Sequence, residues 1–537
     1  MKRELKAILA LVTTYTIGNF LLIFNQGVFW DDWAVLPFLK DGNYASLWDF
    51  LSQGRFYALY FSFKIAWLTD NPILFMKFLT FMSWLLAGLF LYGILRQKLA
   101  LRQDRAFFIS ACFMLTPTYL VKVLPTILRY SIHNAIFFLA IFLYFTAQKA
   151  TGKFIRYSGY LLACILFFLS FETNSFLVFY GGFLLLSLFC SYQENPERPL
   201  THSLLPWLKN NFIFIVLPIF YWALKMSVLK QYGIYAGYNQ FITPSELPAM
   251  IKSSWDWIVF GFFWPIIAPL AILSRKIFFL LFLAIGTIVH FLTKKISAPE
   301  NRNDGQDFNP KYYIAAGLIL NILGALPYFL VGKSIHIYGD GFDMRHALLL
   351  PLGSSLIILG TILLVIKENW QAKIQVIILT LFMVFSIYNY YELDMDHYKQ
   401  LIVIESLKTS QDENINRAST LVFYDQASGL NWLNRHIHGE EYLGYLQVIG
   451  HTQFAIAEDH DILSEYNAQK DLLSKPFPAN FDPLKRVIDV YITTDAKKEI
   501  STVHNWLALK RHEILSSQPE LLNNINKIFQ IRLESKQ

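Results

Sequence analysis

The sequence predicts a polytopic α-helical membrane protein of about eleven spans, ending in a small soluble α/β domain. Three observations carry this. The chain is 55% hydrophobic and 16% charged, against roughly 45–50% and about 25% in ordinary soluble domains. The excess lies in repeated apolar runs long enough to cross a bilayer, such as Pro72–Leu95 and Ala347–Ile366. Charge is also unevenly spread: residues 391–537 hold 36 of the 85 charged residues. Residues 1–390 are therefore read as the membrane part and 391–537 as the soluble domain.

The first span runs from about Lys6 to Phe24, preceded by Lys2 and Arg3. No small-residue cleavage site follows, so it reads as a retained anchor. Its basic flank puts the N-terminus in the cytoplasm and the residues after Phe24 outside. The loops Arg96–Arg105, Gln148–Arg156, Ser191–Lys209 and Lys294–Lys311 are basic or polar and read as cytoplasmic. The turns near Pro125–Arg129 and Phe171–Asn174, and the loop Gly332–His346, then fall outside, with the C-terminal domain extracytoplasmic. Such a chain belongs in a lipid bilayer. Trp255–Leu273 is apolar enough to span, yet a crossing there would invert everything downstream; it reads as re-entrant or interfacial.

The first external loop, residues 25–71, is rich in apolar residues. Leu36, Phe38 and Leu39, then Leu47, Trp48, Phe50 and Leu51, predict short amphipathic helices on the membrane surface. Phe56–Leu68 is too short for a span and stays in the loop. In the tail, Leu421–Tyr424 and Val487–Thr493 read as strands and Glu499–Ser516 as an amphipathic segment.

Several function classes fall away. The net charge of +7 sits mainly in short interhelical loops, as topology requires, and does not imply nucleic acid. Cys112, Cys164 and Cys190 lie in apolar runs, with no disulfide framework or metal spacing. No P-loop, dinucleotide fingerprint or Gly-x-Ser-x-Gly elbow occurs, which argues against nucleotide-driven transport and serine hydrolysis.

The strongest chemical signal is the string Val28-Phe29-Trp30-Asp31-Asp32-Trp33. Two carboxylates at the membrane boundary, flanked by tryptophans, are costly to place in apolar surroundings. Asp31 and Asp32 are the candidates for general-base work. N-capping of a helix starting at Trp33 is the bland alternative and accounts for one of them. A carboxylate pair can also hold a divalent cation, Mg or Mn.

Other external residues could bind substrate. Arg55 shares the first loop and could hold a phosphate or snorkel to headgroups. Arg129 and His133, four apart, share one helical face. Glu172 stands at the turn of a tight helical hairpin, facing a polar cavity or capping the hairpin. Lys333, His336, Asp343, Arg345 and His346 crowd the loop before Ala347–Ile366, where Arg345 and His346 could grip a phosphate. His436, His438, Glu440 and Glu441 lack zinc spacing and read as polar surface.

The external Asp31-Asp32 after the first helix, Gly54-Arg55-Phe56, and Arg345-His346 before a late span together resemble the GT-C glycosyltransferase superfamily. The likeness is to integral-membrane members that decorate O-antigen or other surface polysaccharides. It implies a polyprenyl-phosphate-linked sugar donor, a glycan or lipid acceptor, and usually inversion at the anomeric carbon. It also implies a base or metal-ligand role for Asp31 or Asp32 and a phosphate role for Arg345. Two rivals are a polysaccharide polymerase or ligase and a lipid-linked glycan flippase or transporter. A flippase would place polar groups at mid-membrane in broken helices, whereas Arg129, Glu172, Lys225, Lys333 and Arg345 gather toward one predicted face.

Overall fold

The computed structural model describes residues 2–193, 200–237, 239–294, 296, 305–335, 341–409, 420–450, 455–457, 487–494, 502–515 and 518–535. The first half contains α1 (Lys2–Phe24), α2 (Asp31–Lys40), α3 (Tyr44–Gln53), α4 (Tyr57–Ala66), α5 (Pro72–Gln97), α6 (Gln103–Leu115), α7 (Leu128–Lys149), α8 (Lys153–Ser170) and α9 (Ser175–Gln193). Then come α10 (Leu200–Ser227), α11 (Leu247–Ile258), α12 (Trp264–Ala271), α13 (Lys276–Lys294), α14 (Pro310–Phe329), α15 (Leu350–Val365) and α16 (Glu368–Thr409). Among the described residues eleven helices are long and apolar enough to cross a membrane, matching the expected number.

The membership of that set differs from the sequence reading. The stretch after Arg105 is a buried helix of 13 residues, about 20 Å long at 1.5 Å per residue. It stops at Leu115 because Pro117 forces Thr116 into extended geometry, φ −56 and ψ 134. The chain then continues through the 3-10 turns Val121–Val123 and Pro125–Ile127. In its place Leu247–Ser274 meets the length and hydropathy criteria.

Contacts nevertheless keep both ends of Leu247–Ser274 in the same half of the bundle. Just before it, the Ile242 N–H bonds to the Leu330 carbonyl beyond α14. Just after it, Arg275 lies 5.0 Å from the Tyr388 ring. Tyr388 is two residues from Tyr390, which bonds Asn19 near the C-terminal end of α1. A π-turn at Val259–Phe263 and prolines at 265 and 269 interrupt the segment, the usual causes of bending. α13 then travels away, from Phe278 against Tyr388 to Gly286 facing Thr380.

The loop after α1 is three helices of ten residues each, too short to be stable alone in water. They hold because Val35, Leu39, Leu47, Leu51, Leu59 and Phe63 are buried together with Met76 of α5. Each such burial contributes roughly 1.5–3 kcal/mol. The expected amphipathic helices are present, and Tyr57–Ala66 is a short helix within the loop.

α16, at 42 residues, is about 63 Å long, twice a bilayer's apolar thickness. It carries Asp394, Asp396 and Lys399 beyond the bundle, all three fully buried. Position 390, where charge density steps up, lies inside this helix. Among the described residues the tail forms a four-stranded sheet in the order β2-β1-β3-β4, from β1 (Thr420–Asp425), β2 (Ala455–Ala457), β3 (Val487–Thr494) and β4 (Phe529–Ser535). β1 pairs in parallel with β2 and β3, and β4 closes antiparallel on β3. Helix Gly439–Val448 provides the β1–β2 crossover and packs on α2.

At the opposite end of the bundle ion pairs tie the loops together. Arg96 bonds Glu4 at 2.6 Å, and Arg102 bonds Asp104 and Asp307 at 2.7 and 3.2 Å.

Candidate active site

The chain from Asn25 to Trp30 is pinned from several helices at once. Lys77 of α5 donates to the Asn25 side chain and the Gly27 carbonyl at 2.6 and 2.5 Å. Asn25 donates in turn to Asp394 at 2.7 Å. Trp30 is then held at φ 48 and ψ −122, a region that bulky residues rarely adopt. Its N–H donates to Glu441 at 3.2 Å, and its ring stacks on Phe342 and meets Trp432 edge-on.

This turn separates the two aspartates. Asp32 is buried and accepts from the Phe29 N–H at 3.1 Å, the Thr126 N–H at 2.8 Å and the Thr126 hydroxyl at 2.7 Å. Burial drives its pKa upward, and these bonds pull it back. Asp31 opens into a cavity of about 1220 Å³. Among the described residues its carboxylate has no hydrogen bond and no ion pair. Burial raises its pKa first; Arg345 and Arg129 oppose that, while Glu440 and Glu441 add to it.

The cavity gathers residues far apart in sequence: Arg55, Arg129, Glu172, Lys225, Lys333 and Arg345 line it with Asp31. Arg129 lies on the Phe56 ring at 3.9 Å and donates to the Tyr130 hydroxyl at 3.0 Å. Arg345 stacks on Phe342 at 3.5 Å. Burial lowers Lys333 to about 8. Arg55 adopts φ 60 and ties down the chain after α10 through the Lys230 carbonyl at 3.0 Å.

Other predicted residues take different positions. Glu172 lines the cavity and also caps α4, accepting from the Ala58 N–H at 3.1 Å; burial raises its pKa against that bond and Arg129. It therefore caps a different element from its own hairpin. His133 is buried behind it, bonded to Thr173 at 2.7 Å and 3.9 Å from Glu172, so it does not share the cavity with Arg129. His346 lines the cavity, with Nδ1 at 3.1 Å from the Ser334 carbonyl. Asp343 sits 3.9 Å from His346 and is not among the lining residues. His336 lies outside the described residues.

Three donors already occupy Asp32, so Asp31 alone faces the cavity. Among the described residues no group of three or more His, Cys, Asp or Glu could hold a metal ion.

The sequence reading missed the buried frame behind Asp31. Arg435 is fully buried and bonds Asp396 at 2.8 Å as well as Glu441. Its guanidinium lies 4.5 Å from the Trp30 ring. Glu441, expected on a polar surface, is wholly buried because it pairs with Arg435 and accepts from Trp30. The available signal was Trp432 and Ile437 flanking Arg435, an apolar setting for a cation. Gly444 lets helix Gly439–Val448 touch α2: a Cβ there would stand 2.6 Å from the Trp33 Cβ.

No family model matches the chain, and no curated protein matches it. Among solved structures, the chain is similar to ArnT from Cupriavidus metallidurans bound to undecaprenyl phosphate, with a TM-score of 0.40 and 10% sequence identity over 92% of this chain and 94% of that one.

Proposed function

We propose that this chain is a membrane glycosyltransferase that moves a monosaccharide from a polyprenyl-phosphate donor to a surface glycan or lipid acceptor on the extracytoplasmic face. The observation that carries the reading is the joining of Asp31, a carboxylate unpaired among the described residues, with Arg129, Lys333 and Arg345 in one large cavity beside apolar spans. Asp31 takes the proton of the acceptor hydroxyl as its oxygen attacks the anomeric carbon. The bond from that carbon to the phosphate oxygen breaks, and polyprenyl phosphate leaves with the electron pair. The guanidinium and ammonium groups neutralise the charge that develops on the phosphate. Attack opposite the leaving group inverts the anomeric centre.

Asp32 serves as a tether. The grouping of these charges at one end of the bundle favours an enzyme at the membrane rim over a conduit, which needs polar groups along its whole length.

The test replaces Asp31 and Asp32 separately with Asn in cells and compares surface glycans by mass spectrometry. Asp31→Asn should abolish the added sugar while the protein stays in the membrane, a loss of about 10²-fold or more. An unchanged glycan profile at wild-type protein levels would remove the reading.

A further inference from the structure

Trp30 is held at a positive φ of 48 immediately before Asp31, and what holds it comes from the far end of the chain. Its N–H donates to Glu441 Oε2 at 3.2 Å. The same oxygen lies 3.1 Å from Arg435 Nη2, and Arg435 Nε donates to Asp396 at 2.8 Å. All three charged groups are buried to within 1% of complete exclusion. The arginine also covers the Trp30 and Phe29 rings at 4.5 and 5.6 Å. A buried cation fixed between two anions has one low-energy position, because losing either partner leaves uncompensated charge. The frame is therefore stiff where the backbone is strained, the arrangement such a conformation needs to persist.

We propose that Glu441 and Arg435 are positioning residues: they hold the Trp30 peptide and thereby aim Asp31 into the cavity. This deepens the glycosyltransferase reading and rests on it for its catalytic consequence. The orientation itself does not depend on that reading. The C-terminal segment is thus part of the active-site frame.

The experiment uses the full chain in membranes, with Cys112, Cys164 and Cys190 replaced and Asp31→Cys introduced. The labelling rate of residue 31 by a water-soluble maleimide reports its aim. Glu441→Ala should change that rate by more than about fivefold, the size of a one-kilocalorie shift in the loop equilibrium. Glu441→Gln keeps an oxygen for the Trp30 N–H and should stay within about twofold, although it weakens the pair with Arg435 as Ala does. A purely structural ion pair would affect both equally, so matching rates in the Ala and Gln variants would overturn the proposal. Glu441→Met, which keeps the volume, takes the place of Ala if that variant fails to accumulate. In the Asp31 chain, sugar transfer should follow the same order. If Asp31→Asn retained transfer while labelling still separated Ala from Gln, the function reading would fail and the positioning would stand.

Discussion

The Asp32 carboxylate accepts hydrogen bonds from both the N–H and the hydroxyl of Thr126, at 2.8 and 2.7 Å, across 94 positions of sequence. One oxygen thus joins the start of α2 to the turn before α7, while the other caps the loop through Phe29. With Asp32 held by three donors, its neighbour faces the cavity. The pair is divided into a tether and a carboxylate that faces the cavity.

Thr126→Val removes the hydroxyl donor and keeps the shape. It should lower stability by roughly 1–3 kcal/mol, since Asp32 loses a partner while remaining buried. Thermal unfolding in detergent would show a reduced Tm, with transfer weakened and still measurable. An unchanged Tm would mean that water replaces the bond.

A base works deprotonated, so transfer should rise with pH as Asp31 loses its proton. Its pKa is raised by burial and pulled back by Arg345, so the acid limb should lie above the ordinary aspartate range. Arg345→Gln removes the largest opposing influence and should move the limb to higher pH. Glu440→Gln removes a repelling anion and should move it lower. Rate–pH profiles of the two variants shifting in the same direction would contradict Asp31 as the titrating group.

Gly444→Ala places a methyl group 2.6 Å from the Trp33 Cβ and 3.1 Å from the Trp33 carbonyl oxygen. α2 and helix Gly439–Val448 must then separate, at a cost of about 1–3 kcal/mol for overpacking. Because α2 begins with Asp31, activity should fall along with stability. A variant as stable and active as wild type would show that this contact can relax freely.

Arg345 lines the cavity stacked on Phe342, a geometry suited to a planar guanidinium. Arg345→Lys keeps the charge and loses the stacking and the forked donors. Transfer should drop about 10²-fold if leaving-group charge falls on this residue, with kcat affected more than KM. A change confined to KM would assign Arg345 to ground-state binding.

Much of the outline could be read from the chain because burial in lipid imposes long apolar runs, and these are visible without a structure. The short helices after α1 followed from the spacing of Leu36, Leu39, Leu47 and Leu51. Charge bias alone predicts Trp255–Leu273 to be re-entrant, whereas Leu247–Ser274 is long and apolar enough to span. Arg435 was not legible, because its partner Asp396 lies 39 positions away and nothing local marks the pairing. Glu441 was misread for the same reason: a carboxylate after two histidines looks solvated until the helix carrying it docks on α2.

The sequence by itself determined the polytopic helical class, the helical character of the first loop and the presence of a strand-bearing tail, since each depends on local composition and periodicity. Only the tertiary structure decided which aspartate meets the cavity, which cations join it, and that the tail frames the site. Those outcomes depend on hydrogen bonds and ion pairs between segments far apart in the chain, up to 411 positions for Trp30 and Glu441, and no local pattern encodes such pairings.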